Sequence, residues 1–393
     1  MSADPSNDND RQWMRRALHL AEQGLGQVEP NPLVGCVLVR KERLVGSGYH
    51  AEYGGPHAEL AAVQDAMQAG RADLLRGCTA YVTLEPCCHH GKTPPCCDLL
   101  IEAGVSRVVI AMQDPFPAVS GKGIQQLKEA GIQVDTGLLE HLALQLNAPY
   151  IKRIQSGRPW VIAKWAMSLD GRIATATGHS QWISCETSRE AVHRLRGRVD
   201  AILVGSRTAA ADDPMLTARL SDGQPPLRVA TRVIVDSQLN LRPESRIVQT
   251  AQKIPTLVWC GPGFDQVKAS RLRQLGCQVE SPSQQSERDR LDHLLLFLAD
   301  QYQATNVLVE GGGGLLGALF DLKQIDECQV FIAPKIIGGQ LATSPIAGLG
   351  INKVTDGPRC ISLSTSSSGD DIHWCCRLDW SGTGAEVITQ TRS

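Results

Sequence analysis

His57-Ala58-Glu59 and, further on, Pro86-Cys87-Cys88-His89-His90-Gly91-Lys92-Thr93-Pro94-Pro95-Cys96 are the stretches on which the reading of this chain turns. Together they supply one imidazole, two separated thiols and a carboxylate. Zn²⁺ takes nitrogen and sulfur donors in tetrahedral geometry, and three protein ligands leave one corner for a water whose pKa the metal lowers to about 7. His57, Cys87 and Cys96 are the expected ligands. Glu59, two residues after His57 on the same helical turn, is expected to stand beside the open corner and move protons.

H-x-E followed by P-C-x-x-C is a pattern of zinc deaminases, and the spacing here departs from it. Cys88 is adjacent to Cys87, and neighbouring residues point in different directions on a helix or a strand, so the two are poorly placed to share an ion. Cys96 follows Pro95, where a helix through Asp98, Leu99 and Ile101 begins, and a helix N-terminus favours the thiolate. A fourth ligand from Cys88 or Cys97 stays open at this stage; it would close the site and leave Glu59 without a role.

Working outward, Val34 to Val39 is expected as a strand, Val45 to Gly48 as its hairpin partner, and His57 to Ala69 as an alanine-rich helix. Tyr81 to Leu84 and Arg107 to Ala111 are strands on either side of the helix after Cys96, which implies a parallel pair. The ligands then fall at helix N-termini beside strand ends, where open α/β sheets place their sites. A helix from Ile124 to Ala130, a strand at Ile132 to Val134 and one helical stretch from Leu138 to about Arg153 complete this half. Gly157-Arg158-Pro159 punctuates the chain, and the boundary is placed between about Ile154 and Pro159. Strands at Trp160 to Trp165, Ala201 to Val204, Arg232 to Val235, Leu257 to Trp259, Val307 to Val309 and Trp374 to Leu378 alternate with helical patterns, so the second half is also α/β. Ser364 to Ser368 is expected as a loop, and Leu294 to Leu298 as the buried face of a helix.

The domain reading is therefore residues 1–10 disordered, 11–156 a first α/β domain, 157–380 a second, and 381–393 a mobile tail. Basic and acidic side chains nearly balance, 39 against 41, which disfavours a polynucleotide partner. No apolar run is long enough to span a bilayer. The opening Met1-Ser2-Ala3-Asp4-Pro5 has no basic segment leading into an apolar one, so the 13 cysteines are expected as reduced thiols in a cytoplasmic protein.

The stretch from Pro86 to Cys96 resembles that of the bifunctional deaminase–reductase family of riboflavin biosynthesis. So do Pro30-Asn31-Pro32-Leu33-Val34-Gly35 and Gly46-Ser47-Gly48-Tyr49-His50 in the first half, and Ser168-Leu169-Asp170-Gly171, Ala211-Asp212-Asp213-Pro214 and Glu310-Gly311-Gly312 in the second. That family usually has serine where Cys88 stands. The resemblance implies a cytidine-deaminase-like α/β/α domain followed by a dihydrofolate-reductase-like α/β domain, with Zn²⁺ and NADPH as cofactors. It also implies a small-molecule pyrimidine ribotide as substrate and a homo-oligomer. The first step would be zinc-hydroxide deamination of 2,5-diamino-6-(5-phosphoribosylamino)pyrimidin-4(3H)-one; the second, reduction of the ribosyl group to ribityl.

Carried over by resemblance, the cofactor contacts Ala166, Trp182, Thr208, Asp212 and the turn Gly312, Gly313, Gly314, Leu315, Leu316, Gly317, Ala318. Ser180, Arg196, Leu216, Arg219 and Glu310 match substrate positions, and Asn31, held between two prolines, is a further one. Lys164 and Asp212 are candidates for charge control where the sugar is reduced. Guanidinium donors match phosphate oxygens, which suits Arg196 and Arg219. The glycine turn alone is a weak signal, since strand-turn-helix junctions often carry glycine for backbone reasons only. His50, His89, His90 and Lys92 are polar groups near the site that serve equally well as loop residues; Asp170-Gly171 is a turn first; Trp182 suits core packing as well as cofactor contact. Two other functions fit parts of the chain: a tRNA or nucleoside deaminase with a C-terminal binding module, and a zinc-stabilised binding protein without turnover.

Overall fold

The computed structural model describes residues 5–88, 94–219, 223–283 and 286–381. His89, His90 and Lys92, and the expected mobile tail beyond Ser381, lie outside them. The chain divides into two compact units, Met1–Gly157 and Arg158–Ser393.

The first unit runs α1 (Pro5–Glu22), β1 (Gly35–Arg40), β2 (Arg43–Tyr49), α2 (Ala58–Gln68), β3 (Thr79–Leu84), α3 (Cys96–Glu102), β4 (Arg107–Met112), α4 (Lys122–Glu129), β5 (Gln133–Thr136), α5 (Glu140–Leu146) and α6 (Ala148–Ser156). Its sheet has the order β2-β1-β3-β4-β5, with the expected hairpin antiparallel and β3, β4 and β5 parallel. The strands are apolar on both faces because helices cover both. Cys36, Leu38, Val82, Val108 and Ile110 pack on one side with Ala62 of α2 and Leu100 of α3. Their alternating neighbours Val37, Val39, Tyr81, Val109 and Ala111 pack on the other with Met14 of α1 and Ile151 of α6.

Two expectations are corrected here. Helix α1 begins at Pro5, inside the ten residues expected to lack structure. Asp10 explains it: its carboxylate accepts the Tyr81 hydroxyl at 2.6 Å and pairs with Arg107 at 2.7 Å, tying the acidic start of the helix to the sheet. The single helical stretch from Leu138 is two helices. Pro149 lies in the first turn of α6, where its missing N–H costs nothing, and it could not continue α5.

The second unit runs β6 (Trp160–Ser168), α7 (Glu186–Arg196), β7 (Ala201–Gly205), α8 (Ser206–Asp212), β8 (Thr231–Val235), α9 (Arg246–Gln249), β9 (Thr256–Trp259), α10 (Gln266–Gln274), β10 (Gln278–Glu280), α11 (Glu287–Gln301), β11 (Asn306–Val309), α12 (Gly313–Asp321), β12 (Glu327–Ala333), β13 (Arg359–Ser368) and β14 (Asp371–Asp379). The sheet order is β10-β9-β8-β7-β11-β6-β12-β14-β13. Its first seven strands are parallel and the last two antiparallel. Leu294, Leu295 and Leu298 do form the buried face of α11. Ser364 to Ser368, expected as a loop, belongs to β13 instead. Among the described residues that strand bonds only to β14, and its side chains are exposed along almost its whole length, so serine and threonine replace the apolar alternation that marks a buried strand.

Candidate active sites

The first site is assembled by close approach of α2 to the hairpin. A Cβ at Gly48 would lie 2.5 Å from the Ala62 nitrogen, so only glycine on β2 lets the alanine-rich helix come this near. His57 is the N-cap of α2 and Glu59 lies in its first turn, fully enclosed. Cys87 comes three residues after β3, and Cys96 opens α3. The His57 Nδ1 atom is 3.3 Å from Cys96 Sγ and 3.6 Å from Cys87 Sγ, and the three donor atoms lie within 4.8 Å of one another. With Zn–N near 2.0–2.1 Å and Zn–S near 2.3 Å, a tetrahedral ion needs N···S separations of roughly 3.5 Å, so the donor set fits zinc. Neither Cys88 nor Cys97 joins this group among the described residues. Cys97 points away, its thiol donating to the Pro86 carbonyl at 3.3 Å.

Charge in the site is coupled. The Cys96 thiol donates towards Cys87 and, with His57, pulls Cys87 down to about 4, against the opposing effect of burial. Burial, then the nearby Cys87 charge, pushes Glu59 above the ordinary carboxyl value. A cavity of about 390 Å³ opens on His57 and Glu59, and Asn31, His50, Asp114 and Tyr150 line it. His50, left undecided by sequence, is buried and bridges two segments: Nδ1 meets the Pro56 carbonyl at 2.9 Å and Nε2 meets the Asn31 amide nitrogen at 3.0 Å. That fixes the tautomer with Nδ1 protonated and aims the Asn31 side chain. Sequence reasoning missed Asp114 and Tyr150, which hydrogen-bond at 3.0 Å. No spacing rule links them, because α6 reaches the cavity only through the fold. Asn147, just before α6, anchors that helix to the site: its side-chain oxygen accepts the Leu33 N–H at 2.8 Å and its amide nitrogen donates to the Leu33 carbonyl at 3.0 Å.

In the second unit, Glu310 directly follows β11 and is the centre of an ion cluster. Its carboxylate takes two bonds from Arg196, at 2.6 and 2.8 Å, and lies 3.9 Å from Lys164 Nζ on β6. Burial pushes Glu310 up, but Arg196 and then Lys164 outweigh it and hold the carboxyl at about 2. Burial lowers Lys164. Arg196 Nη1 also donates to the Thr217 carbonyl at 3.3 Å, and His193 Nδ1 lies 3.1 Å from the same oxygen. This holds the segment carrying Leu216, which is buried with φ +50, and Arg219, whose charge acts on His193. The structure thus brings together Lys164, Arg196, Leu216, Arg219 and Glu310, with His193 as a member that sequence reasoning did not single out.

Thr208 Oγ1 accepts the Gly312 N–H at 2.9 Å, joining α8 to the glycine turn. Ala166 lies two residues beyond Lys164 on β6 and so on the same face. Trp182 is 63% exposed, with the Arg189 guanidinium 4.8 Å from its ring centre and Lys335 donating to its carbonyl at 2.7 Å, so it is not a core residue. Ser180 is two residues upstream and makes no hydrogen bond to the Glu310 cluster among the described residues. Asp212 ends α8, and no ion pair joins it to Lys164 among the described residues; Lys164 faces Glu310 instead. Within the turn, the Leu316 side chain is in the core. Asp170 is a clasp: it accepts from Ser168 Oγ at 2.6 Å and from the amides of Ile337 and Gly338 at 3.0 and 2.7 Å, which hold it at about 2.

A deaminase-type α/β/α unit carrying a three-donor metal site, followed by a mainly parallel α/β unit with a glycine turn at a helix start, defines a two-domain deaminase–reductase. Comparison with known proteins agrees. Residues 7–112 match the cytidine and deoxycytidylate deaminase zinc-binding region, and residues 159–374 match the RibD C-terminal domain. The riboflavin biosynthesis protein RibD of Actinobacillus pleuropneumoniae is 41% identical over 372 residues, 94% of this chain and 96% of that one. A crystal form of Acinetobacter baumannii RibD superposes with TM-score 0.82 at 36% identity, covering 95% of this chain and 99% of that one. The diaminohydroxyphosphoribosylaminopyrimidine deaminase/5-amino-6-(5-phosphoribosylamino)uracil reductase of Thermotoga maritima gives 0.79 at 34%, covering 95% and 99%. The chain belongs to the RibD family of bifunctional riboflavin biosynthesis enzymes, with a zinc-binding deaminase domain and a reductase domain that uses NADPH.

Proposed function

We propose that His57, Cys87 and Cys96 hold the zinc and that Glu59 carries protons during hydrolytic deamination of 2,5-diamino-6-(5-phosphoribosylamino)pyrimidin-4(3H)-one. The observation that carries this reading is the buried Glu59 in the same helical turn as His57, one corner of a donor triangle of zinc dimensions. Bound zinc supplies Lewis-acid activation of water at neutral pH. Glu59, screened from solvent and with a raised proton affinity, can take a proton from the attacking water and return it to the departing amine. The Asn31 amide, aimed by His50, is positioned to hydrogen-bond the ring edge or the sugar. Tyr150 and Asp114 also line the cavity.

In the second unit NADPH supplies hydride to C1′ of the ribose of the deaminated product. Arg196 and Arg219 grip the 5′-phosphate, and Ser180 and Leu216 bound the sugar. Glu310 orients Arg196 through both oxygens and, 3.9 Å from Lys164, opposes the effect of burial on that amine. Ala166, Trp182, Thr208, Asp212 and the turn from Gly312 to Ala318 form the cofactor's bed. The enzyme works in the cytoplasm as an assembly of identical chains. The thiols of all thirteen cysteines are free, as suits a reducing compartment, and light scattering tests the assembly. Incubation with the pyrimidinone ribotide, with and without NADPH, followed by mass spectrometry, tests the chemistry. Amine-to-oxo exchange is expected without cofactor and sugar reduction only with it; reduction of the diamino compound before deamination would overturn the order.

A further inference from the structure

Glu59, Glu85 and Asp114 are the carboxylates that line the deaminase cavity among the described residues, and the last two are bonded in different ways. Glu85 uses both oxygens on backbone amides: Oε2 takes those of Asp114 and Gly121, and Oε1 those of Gly123 and Ile124. Asp114, two residues beyond β4, is only 7% exposed, yet both bonds that it accepts fall on one atom. Oδ1 takes the Phe116 amide at 2.9 Å and the Tyr150 hydroxyl at 3.0 Å. Oδ2 accepts nothing from the described residues and is not sealed within protein. Because Asp114 lines the cavity that opens on His57 and Glu59, this oxygen is open to whatever fills it.

Burial pushes the Asp114 carboxyl up, and the Phe116 and Tyr150 donors oppose that, leaving one oxygen without a donor from the chain. A ligand that displaces solvent from such an oxygen loses affinity unless it brings a donor of its own. The pyrimidinone ribotide offers ring amino groups and ribose hydroxyls; its phosphate is an anion and is repelled. Asp114 feels the charge of Cys87, one of the three zinc donors, which puts it at the end of the cavity where the ring must lie. We propose that Asp114 Oδ2 accepts an amino N–H of the pyrimidine, which makes Asp114 a specificity-determining residue of the deaminase. Tyr150 is its positioning residue, since the phenol and the Phe116 amide together fix Oδ1 and so the direction of Oδ2. With substrate bound, both oxygens of Asp114 are taken. The proposal rests on the reading that this ribotide is deaminated in this cavity.

Asp114→Asn tests it with little change of shape. Two donors meet Oδ1, so the amide oxygen must lie there and the amide NH₂ takes the place of Oδ2, donor against donor. In steady-state ammonia release by the full-length protein, KM for the ribotide is expected to rise about 10–100-fold with a smaller change in kcat. Zinc content, circular dichroism melts and NADPH oxidation on the deaminated ribotide check that the variant keeps its metal and its fold. Two further ligands locate the donor: the ribotide lacking its 5-amino group, as substrate, and the deaminated ribotide, which lacks the 2-amino group, as competitive inhibitor. The gap between native and variant chains should vanish with one of them, and that one identifies the amine held. A gap that persists with both means that Oδ2 holds a ribose hydroxyl, and the proposal fails. It fails too if KM for the ribotide stays within about twofold of native. Should Asp114→Asn not fold, Tyr150→Phe decides in its place, with KM expected to rise about threefold and an unchanged KM counting against the proposal. A native chain that releases no ammonia from the ribotide would bring down the reading of the cavity itself.

Discussion

Glu59→Gln keeps the volume and reach of the side chain and removes only its ability to take and return a proton. General acid–base catalysis is worth about 10²–10⁴ in rate. The structure puts this case at the upper end, because the other carboxylates on the cavity are already committed. Glu85 accepts the amides of Asp114, Gly121, Gly123 and Ile124 at 2.9–3.3 Å. Asp114 holds the Phe116 amide at 2.9 Å and the Tyr150 hydroxyl at 3.0 Å. With no uncommitted carboxylate to replace it among the described residues of the cavity, ammonia release should fall about 10³–10⁴-fold, roughly 4–5.5 kcal/mol of barrier. The assay is single-turnover ammonia release alongside zinc content by atomic absorption, where one zinc per chain should persist. A variant within tenfold of the native rate with zinc in place would refute the role of Glu59. Loss of zinc would instead make Glu59 a ligand.

Removing zinc with a strong chelator should abolish ammonia release while leaving NADPH oxidation on the deaminated ribotide intact, and parallel assays of the two half-reactions check this. Glu310 ionises at about 2 in the folded chain against 4.5 ordinarily, so its contribution is complete above about pH 4.5 and disappears as pH falls towards 2. The shift corresponds to about 3 kcal/mol. Denaturant titrations across that window should therefore show a steeper loss of stability for the native chain than for Glu310→Gln, which should also lose reductase activity. Gly35→Ala would set a methyl group 2.0 Å from the Ala17 carbonyl oxygen of α1. A stability loss of roughly 3 kcal/mol is expected, read as a lowered melting temperature.

The first site was legible because its chemistry is concentrated in residue types with few other uses. A histidine, a carboxylate two residues on, and cysteines after Pro86 and Pro95 define it, and the fold adds only their convergence. Parallel strands showed as short apolar runs because both faces are buried, as at Val307 to Val309. The same rule misled at Ser364 to Ser368, where an edge strand needs no apolar side chains. It also gave no sign that Asp10 would anchor an acidic helix start, since Arg107 lies 97 residues away. The reductase cluster was reached through resemblance. Its physical content, one carboxylate shared between Arg196 and Lys164, depends on α7, β6 and β11 being brought together and has no local signature.

The four amides gathered by Glu85 make one side of the deaminase cavity a panel hung mainly from one peg, with Asp114 holding the Phe116 amide as a second. Phe116 and Val119 project from that panel into the cavity. Exchanging the exposed Phe116 side chain reshapes the space offered to a substrate without disturbing what carries it, whereas Val119 is buried and is not free to vary in the same way. Shortening the peg by one methylene, as aspartate would, detaches every amide at once. Tolerance and fragility are thus separated by the length of one side chain.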